Sequence, residues 1–445
     1  MKFENCKLQI VRAARSARLQ FPIFLFQFAI CNGLVGAENW PDYRGLTGQG
    51  VSDAAELPLI WSEARNVRWK TAIPGKGWST PVIWGNQIWM TTADEEGHER
   101  SALCVDRESG RIVHQIKVFE VAQVAPQHGL NSHASPSPVI EEGRVYVHFG
   151  TYGTACIDTE TGEILWRRTD LNIDHQVGPG SSPVLFENLL IVHCDGTDYQ
   201  YIVALDKKTG QIVWKSVRSA PLTELSPAMR KASCTPIIVN VNDKPQLLSV
   251  GSHAFYGYDP RRGSELWRVR FAGFSNVARP VSDGKIAVFS TGYERAELVG
   301  VELASAGKPR KGDVPGSIPL DLTDTNVLWT QPRNAPNMPS PLLVDGLVYT
   351  TDDGGVASCL DAATGEVIWR QRIGGNYSAS PIYASGRVYF SSQEGKTTVI
   401  AAGREFKELA VNTLDDGFMA SPAVSGRALF LRTRSHLYRV EEIAK

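Results

Sequence analysis

The stretch CIDTETGEILW, Cys156 to Trp166, returns as ALDKKTGQIVW (Ala204 to Trp214) and CLDAATGEVIW (Cys359 to Trp369). Weaker copies are GYDPRRGSELW (Gly257 to Trp267) and CVDRESGRIVH (Cys104 to His114). Each reads as strand, tight turn, strand. The Asp side chain caps its own turn, Gly takes the positive-φ corner, and alternating apolar residues bury one face of each strand. A hairpin that recurs this faithfully makes the chain an array.

A second marker lies upstream of each copy, a Pro followed by apolar residues. It occurs as TPVI at Thr80, SPVI at Ser137, SPVL at Ser182, TPII at Thr235, RPVS at Arg279, SPLL at Ser340, SPIY at Ser380 and SPAV at Ser421. A short turn and an alternating strand such as RVYVHFG follow, so one unit holds four strands. Quartets of this length predict an all-β, eight-bladed β-propeller of four-stranded antiparallel blades. The last unit supplies only three strands, ending near Tyr438, and the missing one stands before the first marker as NVRWKTAI around Trp69. An N-terminal strand completing the last blade would close the ring and remove its open edges.

Length alone, 445 residues, would suggest more than one domain, but a closed ring overrides that prior. The predicted division is a signal peptide at 1–37, a lead segment at 38–66, and the propeller at 67–445. Lys2, Lys7, Arg12, Arg15 and Arg18 precede the apolar run FPIFLFQFAICNGLVGA, which is short and interrupted. That pattern reads as a secretory leader, with an uncleaved anchor as its alternative. A lipid-attachment signal at Cys31 is disfavoured because Ile30 stands where a small residue belongs. Export to the periplasm or beyond follows, with no transmembrane span in the mature chain. The lead segment should lie across the outside or one face of the ring, anchored by Trp40, Tyr43 and Trp61. Net charge is −1 and no basic stripe appears, which argues against nucleic acid as a partner. Cys104, Cys156 and Cys359 share one repeat position and read as small core fillers rather than a disulfide or zinc framework. The polar insert between blade five's third strand and VLWT, residues 308–326, reads as a mobile surface loop.

In a four-stranded meander, connections one–two and three–four emerge on one face, and the remaining connections on the other. The first set is tight, whereas the second holds the long loops 92–101, 114–134, 167–180, 194–201 and 215–232, which marks the working face. Candidate binding residues there are Lys76, Trp78, His128, His133, His175, Asp195, Asp198, Lys231, Arg279, Asn337 and Asn376, with Asn276, Tyr377 and Phe418 beside them. Arg279 stands where every other marker carries Ser or Thr. The histidines, with Asp174, His148 and His193, have the chemistry for a transition metal or acid–base work, but their spacing matches no metal motif. Structural hydrogen bonding is the preferred reading, and no metal is assigned.

The DxxTGxxxW hairpins, with Trp69, Trp166, Trp214, Trp267, Trp329 and Trp369 on outermost strands, resemble the docking motif of the PQQ-like quinoprotein propellers. In those proteins each Trp wedges against the neighbouring blade's turn. NWPDYRG, PGKGWSTPV, HFGTYGTACID and HCDGTDYQYIVALD further resemble secreted PQQ-binding-like repeat proteins of planctomycete type. Quinoprotein alcohol dehydrogenases of the superfamily carry vicinal cysteines over the quinone and a calcium held by Glu and Asn; this chain has no adjacent cysteines and no CxxCH. No catalytic or cofactor-binding residue is therefore assigned. The preferred reading is a non-catalytic module binding a protein, small molecule or carbohydrate through its loop face, as assembly lipoproteins of the superfamily do. The alternative is an oxidoreductase acting on an alcohol or sugar with PQQ and calcium.

Overall fold

The marker prolines stand just ahead of the innermost strands, where a missing N–H costs no ladder bond. These strands are short, for example Val82–Trp84, Val139–Glu141 and Ile382–Ala384. The computed structural model describes residues 39–306 and 320–443, so the expected leader lies outside the described residues. The described residues form eight sheets, each a meander running outward from such a strand. The eighth pairs Val67–Ala72 with His436–Val440, placing Trp69 opposite Arg439 and Lys70 opposite Tyr438. The ring is closed by its N-terminal strand, as the sequence predicts.

The repeat motif explains the blade rim. In Asp345-Gly346, between inner strands of blade six, both residues take positive φ (49° and 74°), the geometry of a two-residue hairpin turn. On the outer hairpins, Asp158 Oδ1 accepts the backbone N–H groups of Glu160 and Thr161, closing the turn. The Trp at the end of each motif faces the small residue directly across the strand pair: Cys156 opposite Trp166, Ala204 opposite Trp214, Cys359 opposite Trp369. A bulge follows each of these pairs. Small residues recur there because the indole leaves no room for a larger one. The five cysteines among the described residues are buried and free.

Five indoles donate to a carbonyl in the following blade: Trp69 to Arg107, Trp166 to Lys207, Trp214 to Pro260, Trp329 to Ala362 and Trp369 to Gly403. Four of these rings lie against the next blade's turn glycine, Trp69 against Gly110, Trp166 against Gly210, Trp214 against Gly263 and Trp329 against Gly365. Trp267 differs. Blade five lacks a TG turn, and Trp267 donates instead to Gln246 of its own blade. There the insert contributes an added edge: Leu320–Asp321 pairs in parallel with Trp267 and Arg268, giving blade four a fifth strand. Asp321 ion-pairs with Arg270 at 2.8 Å, and Leu322 is buried. Residues 320–326 are thus ordered against blade four rather than forming the surface loop expected across 308–326.

Candidate functional site

The hydroxyls preceding the marker prolines form a ring around the axis. Thr80 N–H donates to Ser137 Oγ, Ser137 to Ser182, Ser182 to Thr235, Arg279 to Ser340, Ser340 to Ser380, and Ser380 to Ser421, all at 2.8–2.9 Å. Each bond ties one blade to the next. Arg279 interrupts the series because it has no hydroxyl to offer, and a second gap falls between Ser421 and Thr80, whose Oγ1 is buried without a hydrogen-bond partner among the described residues. Its guanidinium instead donates to the Pro236 carbonyl at 3.1 and 2.8 Å and pairs with Asp42.

Asp42 belongs to the lead segment, which crosses the channel on the side of the tight turns. Trp40 exchanges backbone hydrogen bonds with Ile83 of blade one, and Pro41 accepts from Ile140 of blade two. Gln49 bonds the Ser282 backbone of blade five in both directions, and Gly50 and Ser52 bond Tyr383 of blade seven. Tyr43 Oη reaches Ser380 Oγ at 2.9 Å. Farther on, Trp61 stacks on Tyr389 and its backbone N–H donates to Asn412 Oδ1, carrying the chain along blade seven to the closing strand. The segment therefore seals one end of the channel.

The other end is open. A funnel of about 670 Å³ is lined by residues from all eight blades, with Tyr43 and the marker hydroxyls of Thr80, Ser137, Ser182, Thr235 and Ser421 within it. Its wall carries Trp78, His128, Lys231, Phe274, Asn337 and Asp353, and its mouth exposes Leu130 (42%), Val277 (41%) and Tyr293 (59%). The funnel opens on the face of the long loops. Two of its groups have shifted acidities. Burial lowers the pKa of Lys231 against the pull of Asp174, and burial raises that of Asp353 against its hydrogen bonds from Asn337 and Met338.

Of the sequence candidates, Trp78, His128, Lys231 and Asn337 line the funnel. Lys76 stands near it, with Nζ 5.5 Å from the Trp78 ring. His133 and His175 line a smaller cavity of about 110 Å³ with Thr151, Tyr152 and Asp174. His175 Nε2 accepts the Thr151 N–H, and burial pushes its pKa down to about 4. Asp195 does not face a cavity: it is buried against Arg218 Nε (3.0 Å) and His193 Nε2 (3.2 Å), and Arg218 extends the network to Ser249 and Tyr258. Asp198 is exposed and accepts the backbone N–H groups of Asp174 and Tyr199. Asn376 is exposed and bonded to Glu394, while Asn276, Tyr377 and Phe418 are buried. Arg279 is engaged by the lead segment and is not available to a ligand in the funnel. Tyr43, Phe274, Val277, Tyr293, Met338 and Asp353 also line the funnel and are not among the binding candidates that the sequence offers. Phe274 and Val277 fall in the same connection as Asn276, and their apolar character beside a marker was the available signal.

Among the described residues no group of three or more His, Cys, Asp or Glu is placed to hold a metal. The funnel offers one carboxyl, Asp353, already bonded to Asn337 and Met338. That donor set does not fit a calcium-assisted quinone.

Fold and funnel define a PQQ-like propeller of the quinoprotein type. More narrowly, residues 198–444 match the family described as Outer membrane protein assembly factor BamB, and the chain belongs to that family. A relative of that description from Bordetella pertussis is 22% identical over 306 residues, 67% of this chain and 71% of that protein. BamB from Moraxella catarrhalis superposes with a TM-score of 0.58 at 12% identity, covering 84% of this chain and 99% of that one. A europium-containing methanol dehydrogenase gives a TM-score of 0.65 at 10% identity, with 90% of each chain covered. Quinohemoprotein alcohol dehydrogenase from Comamonas testosteroni gives 0.60 at 13%, covering 92% and 81%. At these identities the structural likenesses concern the fold alone.

Proposed function

We propose that this chain is an exported, non-catalytic binding propeller that receives a segment of a partner protein in its loop-face funnel. The observation that carries this reading is the blind funnel. Its floor is sealed by the chain's own lead segment, and its mouth exposes apolar side chains on a scaffold held by the hydroxyl ring. Solvent-facing apolar groups around a rigid concavity are what a partner buries. Membership of an outer-membrane assembly family supports a scaffold role in the cell envelope.

The test is a photo-crosslinking residue at Tyr293, compared with one at Val213 on the outer strand of blade three. The adduct from position 293 identifies the partner by mass spectrometry, and the purified partner should bind a Tyr293→Ala, Val277→Ala variant at least about tenfold more weakly, a loss of about 1.4 kcal/mol. Unchanged affinity would refute the funnel as the docking site. The oxidoreductase alternative is separated by titrating the protein with PQQ and calcium while following absorbance and dye-linked alcohol oxidation. Saturable binding with turnover would replace the scaffold reading.

A further inference from the structure

We infer that Lys231 is a carbonyl-capturing amine, forming an imine with an apolar or aromatic aldehyde that enters the funnel. Lys231 lines the funnel, yet its side chain is withdrawn from water, with the residue only 7% exposed. Its Nζ donates one hydrogen bond, 2.9 Å, to the carbonyl of Ala228 in its own loop and stands 5.7 Å from the Phe274 ring centroid. No carboxylate forms an ion pair with it among the described residues, although Asp174 acts on it from a distance. A lysine that is structural in such a place would be expected to meet an acid or to extend its ammonium into water. Lys231 does neither. Desolvation in an apolar wall is one of the ways proteins make an amine nucleophilic near neutral pH.

The chemistry needs nothing further. The neutral amine adds to the carbonyl carbon, the carbinolamine loses its oxygen as water, and a C=N bond replaces C=O. No oxidant or reductant takes part. The walls select the substituent: Phe274 stands beside the lysine, and Val277, Tyr293 and Met338 add apolar surface to the funnel lining. This favours an aldehyde with an aromatic or alkyl body over a small, strongly hydrated one. The inference concerns the same funnel as the proposed docking site, but it does not depend on a protein occupying it, and either can fail alone.

The test uses the wild-type chain, cinnamaldehyde and sodium cyanoborohydride at pH 7, with the sites of reductive alkylation mapped by mass spectrometry. Lys231 should be labelled at least tenfold faster than the exposed Lys208, with half-maximal rate at a pH below the ordinary lysine value of about 10.4. Glyoxylate, an aldehyde without an apolar body, should show no such preference for Lys231. In Lys231→Arg the fast adduct should disappear. Labelling of Lys231 no faster than Lys208 would overturn the inference. Equal preference for glyoxylate and cinnamaldehyde would overturn the assigned ligand class.

Discussion

Asp42 and Arg279 form a largely buried ion pair that fastens the N-terminal lead segment to blade five, on the far side of the ring from where that segment enters at blade one. The pair occupies the one marker position where Arg replaces Ser or Thr, so the lead segment is fastened at the irregular marker of the repeat. The Arg in place of Ser or Thr finds its partner outside the repeats, in the lead segment.

Removing one partner should therefore cost more than removing both. Asp42→Ala leaves the Arg279 guanidinium buried beside one carbonyl acceptor, and a loss of about 3 kcal/mol is expected. Arg279→Ser with Asp42→Ser restores a ring hydroxyl and should lose clearly less than the sum of the single changes. Urea unfolding of the four proteins measures the coupling.

The rim tryptophans are not equivalent. Trp166→Ala removes an indole packed on Gly210 of the next blade and should cost about 3 kcal/mol. Gly257→Ala should also destabilise, by about 1–3 kcal/mol, because the added Cβ would come 2.2 Å from the Trp267 indole. Cys359→Ala, at the same repeat position in blade six, keeps a small residue opposite Trp369 and should lose less. Thermal melts of the three variants give the ranking.

Stability should fall on mild acidification. Burial holds His148 at about 3 and His175 at about 4, whereas both titrate near 6.5 in an unfolded chain. Between pH 6.5 and 4 the unfolded chain takes up protons that the folded protein refuses, so unfolding becomes easier as pH drops through that window. The effect of His175 alone is on the order of 3 kcal/mol. The turn carboxylates act lower down. Hydrogen bonds from Thr161 and Ser109 hold Asp158 and Asp106 below the usual carboxylate range, so their contribution is lost only as pH falls through and below about 4. Urea midpoints at pH 7, 5.5 and 4.5 should decline in wild type and decline less in His175→Gln.

Much of the fold was legible because the repeat writes its own geometry. Asp158, its turn and Trp166 are one local unit, and eight marker prolines count the blades directly. What the repeat does not encode was harder to read. The lead segment's path depends on single contacts such as Gln49 with Ser282, distant in sequence and outside the period. Trp267 looked like its counterparts because the motif is local, while its different partner is set by what blade five lacks. Polar residues near the markers were natural binding candidates, yet Asp195 and Arg279 are spent on buried ion pairs, and the funnel wall is supplied as much by apolar residues such as Phe274 and Met338. Whether a loop residue faces the axis or a neighbouring blade depends on its rotation within an irregular connection, and no periodicity reports that.

The most direct test of the account is amide hydrogen exchange on the protein with and without its captured partner. The docking reading predicts slowed exchange at 274–278, 293–297 and 337–338, around the funnel mouth, with the tight-turn face at 345–346 and 385–386 unchanged. Protection confined to those turns or to the outer strands, with the funnel exchanging as in the free protein, would contradict it.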